Sequence, residues 1–167
     1  MEKNGRQPKQ EKQFEERLLE VRRVTRVTKG GRQLAFRAVM IIGDKKGKIG
    51  LGLAKSQDVI GAIQKATHDA YKNIKKVPIV GANSVPYGKT HKYKAALVRL
   101  MPAGPGTGLK AGSSVRSVLE LAGYNNILTK ILGTNNKLNN ALATINALSL
   151  YKVNTVKPKK VEEKTEA

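Results

Sequence analysis

Residues 24–53, "VTRVTKGGRQLAFRAVMIIGDKKGKIGLGL", leave this chain few ways to fold. β-Branched Val24, Thr25, Val27 and Thr28 lead into Gly30-Gly31, a pair that accepts the positive φ of a tight turn. Beyond it Leu34, Phe36, Ala38, Met40 and Ile42 alternate with other residues, so one face of a strand is apolar. A second turn, "GDKKGK", starts a third strand in which Ile49, Leu51 and Leu53 point one way. Gly50 and Gly52 leave its other face bare, which lets another backbone approach closely. The segment therefore reads as an antiparallel three-stranded sheet with one face prepared for a tightly seated partner.

Helices are expected on both sides of it. In "FEERLLEVRR", Phe14, Leu18 and Val21 stand at i, i+4 and i+7, the spacing of a short amphipathic helix. After the sheet, Ser56 is the expected N-cap of a helix running to about Lys76, with Asp58 in its first turn. Ile60, Ile63, Ala66, Ala70 and Ile74 form its apolar stripe, and Lys65, Lys72, Lys75 and Lys76 lie mostly off it. A sheet covered by a helix is a complete small domain. The second half reads β-β-α-β-α. It has an irregular strand region around Pro86, a firm strand "AALVRLM" and a helix from about Ala111 to Ala122 closed by Gly123. A strand "NNILTKIL" and a final helix bearing Leu138, Leu142, Ile145 and Leu148 follow. The fold class is α+β. The expected organisation is a flexible basic arm over 1–11, a first domain over 12–77, a second α+β domain over 78–152 and a flexible charged tail over 153–167.

Charge decides which partner such a fold serves. Lys and Arg number 32 against 12 Asp and Glu, a net charge of +20, and a polyanion is needed to offset that self-repulsion. Residues 21–48 hold nine basic side chains and one acid, Asp44, while residues 72–99 hold seven and none. No stretch approaches the ~18 apolar residues of a membrane span, and "MEKNGRQPKQEKQFEERLLE" lacks a signal-peptide core, so the expected location is cytoplasmic, away from membranes. With no cysteine there is no disulfide and no thiolate chemistry.

Enzymatic readings fare badly. Between Val21 and Val156 there are four acids, Asp44, Asp58, Asp69 and Glu120, and no two of them form an obvious pair for acid–base work or Mg²⁺. His68 and His91 lack ligand-like neighbours in sequence, although His91 in "KTHKYK" is placed to touch a phosphate. "PAGPGTGLKAG", residues 102–112, is a relaxed dinucleotide fingerprint between a strand and a helix. The fingerprint requires an acid ~20 residues further on for the ribose, and none occurs between Leu121 and Val161. A Walker loop is excluded too, because Leu109-Lys110 follow Gly108. The loop is better read as backbone N–H groups at a helix N-terminus, with Lys110 beside them, facing an RNA phosphate. No cofactor and no metal are expected. The seven aromatics are dispersed, which disfavours base stacking and favours recognition through phosphate, sugar and shape. The expected phosphate contacts are Arg22, Arg23, Arg26, Lys29, Arg32, Lys48, Lys55, Lys110 and Arg116.

From about Glu16 to Leu148 the chain resembles the bacterial small-subunit ribosomal protein five family. The carriers are "VRRVTRVTKGGRQLAFRAVMIIGDKKGKIGLGLAKSQDV" and "GTGLKAGSSVRSVLELAGYNNILTKILGTNNKLNNALATINAL". It departs where the family has proline, at Ile60 or Gly61 and at Lys137. The resemblance implies a double-stranded-RNA-binding-like first domain and a non-enzymatic structural role in the small subunit on 16S rRNA. It also implies small-subunit proteins four and eight as neighbours, and a share in subunit assembly and in the mRNA entry channel. Lys29-Gly30-Gly31-Arg32 resembles the family's hairpin tip associated with decoding accuracy.

Overall fold

The computed structural model describes residues 14–81 and 83–152; the basic arm and the charged tail lie outside them. Strands β1 (Glu15–Thr28), β2 (Gly31–Gly43), β3 (Lys48–Ser56) and β4 (Ile74–Lys76) form one antiparallel sheet in that order, with helix α1 (Val59–Lys72) between β3 and β4. Strands β5 (Lys89–Tyr93), β6 (Ala96–Pro102), β7 (Leu109–Lys110) and β8 (Ile127–Ile131) form a second sheet of order β5-β6-β8-β7. Helices α2 (Ser113–Ala122) and α3 (Lys137–Ser149) complete the second half.

The expected N-terminal helix is a strand. β1 pairs with β2 from Glu15↔Gly43 to Thr28↔Gly31, and its register slips between Leu18 and Glu20. An inserted residue flips the alternation, so Leu18 (opposite Met40) and Val21 (opposite Ala38) share a face although three residues apart. Phe14 joins them, its ring edge-on to Tyr71 of α1 at 5.7 Å. A bulged strand thus imitates the spacing of a helix.

The expected seating on glycine is present, and the contact is close. A Cβ at Gly50 would lie 2.4 Å from the Ala70 carbonyl oxygen, and one at Gly52 2.0 Å from that of Ala66. Helix α1 therefore rests on β3 backbone to backbone, and its buried residues are small: Ala62, Ala66 and Ala70. Ile60, expected on the stripe, is 67% exposed, because α1 turns the face of Ala62, Ala66 and Ala70 to the sheet and Ile60 lies off that face. Asp58, not Ser56, is the N-cap, accepting from the Gly61 N–H, while Ser56 ends β3. α3 is capped in the same way by Asn136, so at both departures from the family's proline a side-chain cap begins the helix. α1 stops at Lys72, earlier than expected, since residues 74–76 pair with Gly50, Ile49 and Lys48 as a fourth strand.

The expected single apolar face of β2 is half of the picture. Val39 and Ile41 are as buried as Ala38 and Ile42, the signature of a strand covered on both sides. One side meets α1. The other, with Ile49 and Leu51, joins Val115, Leu119 and Leu148 in one core that spans both halves. Helices α2 and α3 lie between the two sheets, and the second sheet buries Ala96, Val98, Leu100 and Ile127 against them. The layers run α1, first sheet, α2 with α3, second sheet.

The β2–β3 turn ties the halves together. Lys45 and Gly47 donate their N–H groups to the carbonyls of Leu121 and Ala122, each at 3.0 Å, satisfying the open C-terminal end of α2. Gly123, the C-cap of α2 at φ 98°, closes against Lys45. Tyr124, fully buried, donates its hydroxyl proton to the Pro78 carbonyl at 2.6 Å.

Candidate nucleic-acid interface

β3 pairs with β2 only from Phe36 onward, so residues 31–35 have β1 as their one partner strand. The β1–β2 hairpin therefore runs past the sheet as a two-stranded ribbon about 17 Å long. Arg22, Arg23, Arg26, Lys29, Gly30, Gly31 and Arg32 all lie on it or at its base, and all are exposed. Its turn differs slightly from expectation. Thr28 and Gly31 close the ladder, Lys29 and Gly30 are the two loop residues, and only Gly31 takes a positive φ, 134°.

Cross-strand pairs share a face. Arg26 and Val24 lie on the same face of the ribbon as Arg22, with Arg23, Val27 and Arg32 on the opposite face. At the base, Arg22, Arg37 and Lys55 stand opposite one another across three strands. Glu20 moderates that row: it pairs with Arg22 at 2.9 Å and reaches Arg37 at 4.0 Å. Among the described residues, Arg23, Arg26, Lys29 and Arg32 meet no carboxylate. An open groove of about 410 Å³ runs beside the ribbon, lined by Arg26, Gln33, Lys55 and Gln57 among others. Spacing along the chain does not single out Arg37; only the strand register reveals that it completes the row.

The other expected contacts lie elsewhere. Lys48 starts β3 at the far end of the sheet, opposite Lys76. Lys110 lies on β7, at the edge of the second sheet. Arg116 is on α2, where its Nε–H donates to Glu120 at 2.8 Å. Glu120 also pairs with Arg17 of β1. The hydrogen bonds from Arg116 and then Arg17 hold the Glu120 carboxyl below its ordinary pKa. Glu120→Gln should cost about 0.5–1 kcal/mol at neutral pH, the range of partly exposed ion pairs. A depressed carboxyl contributes above its unfolded value near 4.5, and the contribution is lost as pH falls through the folded value. Urea midpoints of the two proteins should therefore converge in acid.

The glycine loop corrects an expectation. α2 does not follow it directly; β7 intervenes, and β7 and β8 are parallel across α2. Gly106 (φ 85°) and Gly108 (φ 74°) shape a turn, in which the Thr107 N–H donates to Gly104 and the Gly108 N–H donates to Asn126 Oδ1 at 3.1 Å. The Gly108 carbonyl accepts from Ile127. The loop holds itself to β8 and sets the register of β7, which separates it from the N-terminus of α2. His91 belongs to β5. It stands opposite Val98 on the face turned toward α3, and burial, helped by Lys89, holds its imidazole below the ordinary pKa.

Each of the four acids between Val21 and Val156 has a structural task. Asp44 accepts from the Lys46 and Lys48 N–H groups, both at 2.8 Å, and shapes the β2–β3 turn. Asp58 caps α1, Asp69 accepts from the Leu53 N–H at 3.0 Å where β4 is too short to reach, and Glu120 holds two arginines. Among the described residues no group of acids and histidines is placed to hold a metal ion, and no helix is long and apolar enough to cross a membrane.

Comparison with known proteins gives the family. Residues 14–78 match the family model described as ribosomal protein S5, N-terminal domain, and residues 91–164 match its C-terminal domain. The chain belongs to the ribosomal protein S5 family. The small ribosomal subunit protein uS5 of Acaryochloris marina is 46% identical over 147 residues, covering 88% of this chain and 83% of that one. The uS5c protein of Rhodomonas salina is 49% identical over 146 residues, covering 87% of each. The family is structural and not enzymatic, its place is the small ribosomal subunit, and RNA binding is its general property.

Proposed function

We propose that this chain binds 16S rRNA chiefly through the β1–β2 ribbon, supporting small-subunit assembly and translational accuracy. The carrying observation is the projection of that ribbon beyond β3 with Arg23, Arg26, Lys29 and Arg32 meeting no carboxylate among the described residues. Cations on both faces suit a ribbon that enters between RNA segments, and the scarcity of exposed aromatics leaves phosphate and shape as the means of recognition. Lys55 and the Arg22–Arg37 row extend the same surface onto the sheet. Lys48, Lys110 and Arg116 act as separate, peripheral contacts, Arg116 the weakest because Glu120 engages it. The tip at Lys29–Arg32 is our candidate for the contribution to decoding accuracy. The resemblance over residues 16–148 is the support for small-subunit proteins four and eight as neighbours and for a part in the mRNA entry channel.

The test is the affinity of the full chain for small-subunit rRNA as salt is raised. Each phosphate neutralised should contribute a slope of about −0.7 to −0.9 in log K against log salt. A nearly flat dependence would refute the mechanism. Retention of the chain outside the small-subunit fraction on sedimentation would favour a free-standing RNA regulator instead.

A further inference from the structure

The second sheet has one face covered by α2 and α3 and one face covered by nothing among the described residues. Alternation places Leu97, Arg99 and Met101 of β6 on the open face, since Ala96, Val98 and Leu100 are fully buried on the other. Register then fixes the neighbours. Lys92 of β5 stands opposite Leu97, Lys130 of β8 opposite Arg99, Leu128 opposite Met101, and Lys110 of β7 opposite Leu128. Strand spacing and rise place Lys92, Arg99, Lys130 and Lys110 on a diagonal of roughly 20 Å across all four strands.

All four are exposed, and among the described residues none pairs with a carboxylate. The one acid of the second half within the described residues, Glu120, is on α2 with its two arginines. Arg99 directly opposite Lys130 is a like-charge pair that destabilises a sheet left in water. A polyanion lying over the pair relieves that repulsion. The half-buried Leu97, Met101 and Leu128 between the cations form a low apolar floor, too interrupted by charge for a dry protein interface.

We propose that this open face is a second RNA site, a track on which one phosphodiester strand of the small-subunit rRNA crosses the sheet from Lys92 to Lys110. It rests on the rRNA-binding reading above and adds a surface distinct from the ribbon. It also gives the glycine loop its purpose: by pinning β7 beside β8, the loop delivers the last cation of the track.

The test uses the full chain with Arg99→Gln and Lys130→Gln together, and small-subunit rRNA as the probe. The salt slope should fall by about 1.4–1.8 relative to the unmodified chain, the loss of two phosphate contacts. An rRNA segment protected from chemical cleavage by the unmodified chain should become reactive, while the segment protected by the ribbon stays protected. Unchanged slope and protection would overturn the proposal and leave the ribbon reading intact. Unchanged rRNA affinity with loss of another small-subunit protein from reconstituted particles would overturn it in favour of a protein occupant. Absence of salt-dependent rRNA binding by the unmodified chain would overturn both. Should the double variant lower the urea midpoint, Lys92→Gln with Lys110→Gln at the exposed ends of the diagonal must give the same fall in slope, and its failure to do so overturns the track.

Discussion

Gly52→Ala should destabilise the chain by about 3 kcal/mol or more, near the upper end of what a single added methyl does. The new Cβ would stand 2.0 Å from the Ala66 carbonyl oxygen and 2.4 Å from the Ala70 N. Both belong to helix backbone, which cannot swing aside as a side chain can. α1 has to lift from β3, opening the contacts of Ala62 and Ala66 with Ala38 and Met40 and weakening the Asp69 hydrogen bond to Leu53. The urea midpoint reports the loss. Gly30→Ala is the matched control: nothing lies within 4 Å of its Cβ position and its φ is not positive, so stability should stay within about 0.5 kcal/mol. Equal costs at the two sites would mean that the close seat of α1 is not what selects glycine.

Replacing Arg23, Arg26, Lys29 and Arg32 together by glutamine should weaken rRNA binding roughly 10³-fold at 0.1 M salt and lower the salt slope by about 3. The side chains are exposed and unpaired among the described residues, so the urea midpoint should hold. Arg22→Gln alone should cost less than Arg26→Gln alone, because Glu20 already engages Arg22 at 2.9 Å. Filter binding against small-subunit rRNA measures both. A loss no larger than that of four lysines chosen from α1 and β4 would show that the ribbon has no privileged role.

Much of this architecture is legible in the order of the residues. The hairpin, the third strand and the bare glycine face follow from alternation and from glycine positions, which are local properties. Gly123 at the end of α2 is legible because a C-cap glycine is a local signal as well. The departures share a cause. Phe14, Leu18 and Val21 are spaced like a helix because a bulge flips the alternation, and a bulge is visible only against the partner strand. Ile60 fits an apolar stripe by spacing, whereas the close seat on Gly50 and Gly52 centres the buried face on Ala62, Ala66 and Ala70.

The candidate site divides along the same line. Net charge, the acid-poor blocks and the scarcity of aromatics point to a polyanionic partner, since those quantities survive any folding. Which cations act together does not follow from spacing along the chain. Arg22, Arg37 and Lys55 become a row, and Lys92, Arg99, Lys130 and Lys110 a diagonal, only through strand pairing. The Gly108 N–H meets Asn126, and Glu120 meets Arg17 as well as its helical neighbour Arg116, because partners distant in sequence arrive only on folding. The sequence by itself determined most of the elements and the kind of partner; the tertiary structure decided the remaining strands and the surfaces, because register brings together residues that no local pattern relates.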